Sequence, residues 1–117
     1  MIAVAPHEMD IILGIIKKHI PDCDVLVFGS RSKGTYKETS DLDLAVAGTT
    51  GVGFRVISNM KNDFMESDLT YRVDVVDYNA VSANFKKIID NSGQKIYSGM
   101  SGALFRRYSS GQNANEI

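Results

Sequence analysis

The run Gly29-Ser30-Arg31-Ser32-Lys33-Gly34 and, shortly after it, Ser40-Asp41-Leu42-Asp43-Leu44 hold the residue types best suited to chemistry. Gly29 lets a backbone approach a phosphate closely. Ser30 adds a hydroxyl donor and opens a short helix whose N-terminus faces an anion. Gly34 ends that turn, and Arg31 and Lys33 offer positive charge to a triphosphate, although Lys33 can equally point into solvent. Asp41 and Asp43 supply carboxylates for the magnesium that travels with such a ligand. A Gly-Ser pair after a strand is commonly only a turn, and an Asp-x-Asp can be a solvated face. In this order and this close together, they point to a nucleoside triphosphate.

Side chains two apart on a strand share a face, with Cα atoms roughly 6.5–7 Å apart. Asp41 and Asp43 can therefore converge on one or two divalent ions. A neighbouring strand lies ~4.8 Å away, where a third carboxylate completes the set. Asp74 and Asp77 compete for that place on a later strand. They have opposite parity, and Asp74, flanked by Val73 and Val75, is favoured; Asp77 stands where the strand breaks and suits a turn cap. Carboxylates without nearby histidine or cysteine suit Mg²⁺ or Mn²⁺ rather than zinc. Two such ions ~3.5–4 Å apart can activate an attacking oxygen and stabilise a leaving phosphate.

The elements that must position these groups are legible from periodicity. Ile11, Ile12, Ile15, Ile16 and Ile20 predict a helix from about His7 to Ile20, ended by Pro21. Met9 and Leu13 widen its apolar surface, so it is either deeply buried or partly covered by a partner. Val25-Leu26-Val27-Phe28 is apolar on both parities, the pattern of a central strand. Asp41 to Val46 alternates, sending leucines inward and aspartates outward. Gly48 to Gly53 reads as a loop, Phe54 to about Ser67 as a second amphipathic helix, and Tyr71 to Asp77 as a third strand. Ser82 can cap a last helix with Phe85, Ile88 and Ile89 on its buried face. The expected fold class is α/β (α+β), with one domain over residues 1–97. Ser, Gly and Asn dominate residues 98–117, which read as a flexible C-terminal tail.

Composition narrows the function. With 117 residues, 44% hydrophobic and 23% charged, the chain suits one globular domain, and its net charge of −1 offers no general attraction to nucleic acid or anionic membrane. The first residues lack the basic region of a signal peptide, and no apolar run approaches the ~20 residues of a membrane span. The single Cys23 reads as a small buried side chain, and a reducing cytoplasm is the expected location. His7 and His19 read as helix-end residues, with His19 favourably near the C-terminal dipole. Lys17-Lys18 and Lys86-Lys87 read as solvated faces. Tyr36, Tyr71 and Tyr78 can each stack on a base, and the sequence does not choose among them.

Gly29-Ser30 through Asp41-x-Asp43, with Asp74 on a later strand, resembles the nucleotidyltransferase signature of the DNA polymerase β superfamily. The chain is most similar to the minimal nucleotidyltransferases (MNT), small proteins encoded beside HEPN-domain partners. The resemblance covers roughly residues 7–97 and includes Ser67-Asp68-Leu69 through Tyr71-Arg72-Val73-Asp74. Ser32-Lys33 replaces the commoner Ala-Arg, a mild departure. The resemblance implies a nucleotidyltransferase fold, a small mixed sheet with helices packed on it. It also implies that Ser30 contacts the phosphates, that Asp41, Asp43 and Asp74 carry the metals, and that ATP is the donor in AMP transfer. In HEPN–MNT toxin–antitoxin pairs the MNT protein neutralises its ribonuclease partner by adenylylating a tyrosine, which implies a hetero-oligomer with a HEPN protein from an adjacent gene.

Size agrees with that expectation, because the motifs and core take up nearly the whole chain and leave no second domain to hold an acceptor. The first helix, Phe54 and Met65 are candidates for a partner surface. The alternatives are a binding module that blocks its partner without catalysis, and a transferase acting on a small molecule such as an aminoglycoside.

Overall fold

The computed structural model describes residues 2–99, and the expected tail lies almost wholly outside the described residues. The element order is α1 (Pro6–His19), β1 (Asp24–Phe28), α2 (Ser30–Lys33), β2 (Leu42–Ala47), α3 (Phe54–Met65), β3 (Val73–Asp77), α4 (Ala83–Ser92) and β4 (Gln94–Tyr97). The four strands form one mixed sheet in the order β3-β2-β1-β4. β1 pairs antiparallel with β2 and with β4, whereas β2 and β3 run parallel. β1 is buried along its whole length, as the apolar run Val25-Leu26-Val27-Phe28 requires of a central strand, with Asp24 buried at its start.

Period-two alternation divides the core into two layers. Val25, Val27, Leu42, Leu44, Val46, Val73 and Val75 face α1 and α3, where Ile12, Ile16, Met60 and Phe64 meet them. On the other face, Phe28, Ala45 and Ala47 pack with Ile89 of α4 and with Tyr78, and Phe85 stands edge-on to Phe28 at 5.7 Å. Ile12 and Ile16 have no exposed surface, and each contributes about 1.5–3 kcal/mol through burial. Met9, Ile11, Leu13 and Ile15 are half-buried, so α1 presents one apolar stripe to the core and is not covered all round.

Local capping sets the helix ends. Pro6 opens α1, the Ala5 N–H donates to Glu8 Oε1 at 2.8 Å, and the basic last turn suits the helix dipole. Ser82 Oγ accepts from the Phe85 N–H at 3.1 Å and starts α4 as expected. Ile88, expected on the buried face of α4, is instead 53% exposed, because the sheet meets this helix along a narrower line through Ile89. β4 has no counterpart in the periodicity reading: Gln94-Lys95-Ile96-Tyr97 is short and only partly covered, and its pairing with β1 is interrupted by a register shift.

His19 does more than sit near a dipole. Its Nε2 lies 2.6 Å from Asp63 Oδ2, and Lys18 Nζ lies 3.0 Å from the same oxygen, tying α1 to α3. These contacts hold the Asp63 carboxyl below its ordinary value, His19 most and Lys18 next. Cys23 is buried; burial first, then Asp22, Asp77 and Asp24, push its thiol up, consistent with a packing role. Among the described residues, no helix is long and apolar enough to cross a membrane.

Candidate functional site

β1 delivers the chain to Gly29 at the end of a buried strand. Gly29 has φ +79°, a left-handed conformation that disfavours side chains, and a Cβ there would collide with Asp43 Oδ2. The turn and the carboxylate are therefore in contact by construction. One turn of helix follows, and Gly34, at φ +84°, stops it with its N–H donating to Ser30 O at 3.0 Å. The Ser32 and Lys33 N–H groups donate to Gly29 O at 3.1 Å. It is therefore the Ser30 and Arg31 N–H groups, at the very start of the turn, that come before the first intrahelical bond. Ser30, half-buried, stands at its start.

The parallel register of β2 and β3 decides which aspartate joins the set. Asp43 lies directly opposite Asp74, while Asp77 pairs with Val46 at the far end of the strands. Asp77 accepts from the Val52 N–H at 2.8 Å and the Asn79 N–H at 3.0 Å, so it is the turn cap. Extending the register by one residue brings Arg72 opposite Asp41, and Arg72 Nη2 lies 3.2 Å from Asp41 Oδ2. Lys61, from α3, reaches round the edge strand to place Nζ 3.4 Å from Asp74 Oδ1. Asp43 sits between these pairs. Its carboxyl is pushed up by burial first, then by the charges of Asp74 and Asp41, while Arg72 opposes the shift.

Three hard carboxylates drawn to one end of the sheet, with like-charge repulsion at the middle one, are a donor set that fits Mg²⁺ or Mn²⁺. Among the described residues, no three metal-ligating side chains are gathered closely enough to close round an ion as they stand. Asp41 and Asp74 are turned toward Arg72 and Lys61 instead. Both pairs are solvent-exposed, and such pairs contribute about 0–1 kcal/mol, so side-chain rotation is enough to exchange their partners.

Arg31 overturns the expectation that it faces the triphosphate. It is 5% exposed and donates through Nε to Ser40 O, through Nη1 to Ala3 O and through Nη2 to Glu38 O, at 2.9–3.0 Å. Its guanidinium lies 3.8 Å from the centre of the Tyr71 ring and 5.4 Å from that of Tyr36. It is a clamp on the loop leading into Asp41, and helical geometry turns it away from Ser30. Lys33 is exposed and lines a cavity of about 500 Å³ between α2 and α4, with Ile88 and Gln94. Ser32 turns inward: its Oγ donates to Ser92 O and accepts from Gln94 Nε2, tying the turn to α4 and β4.

Two of the three tyrosines are structural. Tyr71 donates to Glu8 Oε1 at 3.0 Å and Tyr78 to Asp90 Oδ1 at 2.9 Å; burial and these carboxylates push both hydroxyls up to about 12. Tyr36 keeps an exposed ring. Phe54 and Met65 are both strongly exposed. Sequence reasoning missed Lys61 and Arg72 as site residues. For Arg72 a signal existed: Arg-x-Asp running into β3 has the spacing of Asp-x-Asp running into β2.

The polymerase beta nucleotidyltransferase family matches residues 12–100, spanning both the glycine turn and all three carboxylates. This chain belongs to that family. It is 38% identical to the probable protein adenylyltransferase MntA of Haemophilus influenzae over 94 residues, covering 80% of this chain and 79% of that protein. Its fold is similar to that of a toxin–antitoxin crystal structure with AMP-PNP, with a TM-score of 0.73 at 20% identity, covering 92% of this chain and 86% of the other. It is also similar to the MNT antitoxin in complex with a tri-AMPylated Shewanella oneidensis HEPN toxin, with a TM-score of 0.67 at 17% identity, covering 92% and 82%. The small mixed sheet with helices packed on it is thus the nucleotidyltransferase fold.

Proposed function

We propose that this nucleotidyltransferase is a protein adenylyltransferase that takes ATP as donor with Mg²⁺ or Mn²⁺ and acts as the antitoxin of a HEPN ribonuclease encoded by an adjacent gene. The observation that carries this reading is the register: Asp43 faces Asp74 across β2 and β3, with Asp41 alongside and the Gly29–Ser30 turn touching Asp43. The 38% identity to a probable protein adenylyltransferase supports the acceptor class. The reaction belongs to the cytoplasm, where ATP and a HEPN partner meet.

In this reading the N–H groups and hydroxyl of the Ser30 turn, with Gly29 beneath them, hold the phosphates. Lys33 is an auxiliary charge at the edge, and Arg31 positions the Asp41 loop. Asp41, Asp43 and Asp74 would hold the divalent ion, which supplies positive charge to the triphosphate and to the oxygens being exchanged. The acceptor hydroxyl oxygen forms the new bond to the α-phosphorus, pyrophosphate leaves with the electron pair of the broken bond, and the hydroxyl proton passes to water. The acceptor arrives on another protein, so the complex is a hetero-oligomer.

The test is to incubate the protein with its HEPN partner, ATP and Mg²⁺ and weigh both proteins intact. One or more added AMP masses on the partner are expected, with none when the Asp41→Asn/Asp43→Asn variant is used. A variant that labels the partner normally would sink the mechanism. A stable complex without added mass would instead assign the antitoxin effect to binding.

A further inference from the structure

Three carboxylates and two cations share the end of the sheet, and each outer carboxylate has its own cation. Arg72 is paired to Asp41 at 3.2 Å and Lys61 to Asp74 at 3.4 Å, with Asp43 between them. The pairing follows from the fold. Arg72 is brought beside Asp41 by the parallel register, while Lys61 arrives from a helix on the opposite face of the sheet. Neither cation is held by burial: the Arg72 side chain is 77% exposed and that of Lys61 45%. Both also line a cavity of about 510 Å³, shared with Phe64, Met65, Leu69 and Asp74, so each has open space to turn into.

Charge in this cluster then sets what can enter. Three carboxylates alone would attract any divalent ion, but the two cations leave one net negative charge. They also engage one oxygen of each outer carboxylate, Asp41 Oδ2 and Asp74 Oδ1. A nucleoside triphosphate changes that balance, because it brings several negative charges whose oxygens accept from a guanidinium or ammonium as a carboxylate does. We propose that Lys61 and Arg72 are positioning counter-ions that close the carboxylate set to free divalent ions and open it to the metal–nucleotide complex, swinging from carboxylate to phosphate as the complex arrives. The inference rests on reading the three aspartates as the metal-holding set. It adds that nucleotide favours metal entry, so the free protein takes up the metal pool more weakly than the nucleotide-bound protein does.

Binding of Mn²⁺ to the purified protein, followed through the electron paramagnetic resonance signal of the free ion at fixed ionic strength, tests this without any turnover. Lys61→Met and Arg72→Met are each expected to raise nucleotide-free Mn²⁺ affinity about threefold or more, and the double variant about tenfold or more. The gain that ATP gives to Mn²⁺ binding should shrink in the same order. Lys61→Arg and Arg72→Lys should keep the wild-type affinity, since the charge is retained. Variants to methionine that bind Mn²⁺ no more tightly than wild type, or charge-conserving variants that behave like them, would overturn the proposal. Asp43→Asn reports on the layer beneath: an undiminished Mn²⁺ affinity there would remove the aspartates as ligands, and with them both readings.

Discussion

Two arginines touch the segment around Asp41, one through its backbone and one through its carboxylate, and are held in opposite ways. Arg31 is buried, bonded to three main-chain carbonyls and stacked on Tyr71. Arg72 is exposed and paired with a single carboxylate. A buried charge is stable only when all around it is arranged for it, so the Arg31 contacts are fixed with the fold. An exposed pair exchanges freely with water and with other ions. The site therefore has a rigid side, where the Asp41 loop is clamped, and an exchangeable side, where the ion pairs lie open to solvent.

The largest expected effect lies on the exchangeable side. Asp43→Asn should lower AMP transfer by about 10³-fold or more, because it removes a charge placed where metal-assisted stabilisation is worth several kcal/mol. Its stability should move the other way. Burial and two neighbouring carboxylates raise the Asp43 pKa, so its ionised form opposes folding at neutral pH, and that cost disappears as pH falls through the raised value. Asp43→Asn should thus be at least as stable as wild type at pH 7, with the advantage gone near pH 4 in urea denaturation. A variant that unfolds would show that the carboxylate belongs to the rigid side.

Next comes the clamp. Arg31→Met leaves two loop carbonyls and that of Ala3 without their donor and should cost about 3 kcal/mol, seen as a lower denaturation midpoint. Arg72→Met should change stability by less than about 0.5 kcal/mol. Similar losses at the two positions would erase the distinction between the two sides.

Gly29→Ala tests where the sides meet. The positive φ and the collision with Asp43 Oδ2 should cost about 1–3 kcal/mol, with AMP transfer falling further as Asp43 is displaced. The smallest effect is far from the site. Asp63 has a lowered pKa, so its contacts to His19 and Lys18 stabilise the fold above its ordinary value and fade as pH falls through the lowered one. Asp63→Asn should flatten the stability profile below about pH 4 and leave AMP transfer unchanged.

Much of this was legible in the residues. The glycine turn and the Asp-x-Asp lie within sixteen positions of each other, and period-two alternation alone puts Asp41 and Asp43 on one face. Parity favoured Asp74 over Asp77 as the neighbour of Asp43, and the register of β2 with β3 sets Asp74 opposite Asp43 and leaves Asp77 to the turn. The ends of the strands were less clear, with β2 starting at Leu42 and β3 at Val73, because pairing stops where a neighbour stops. β4 was missed because four residues, three half-buried and Lys95 exposed, carry little periodic signal until β1 pairs with them.

The sequence by itself determined the family and which of the motif side chains share a face, since both reside in local motifs and their spacing. Only the tertiary structure decided the direction of Arg31 and the partners of Asp41 and Asp74. Those depend on which strands lie side by side and on a helix reaching round an edge, and contacts between residues distant in the chain leave no period to read.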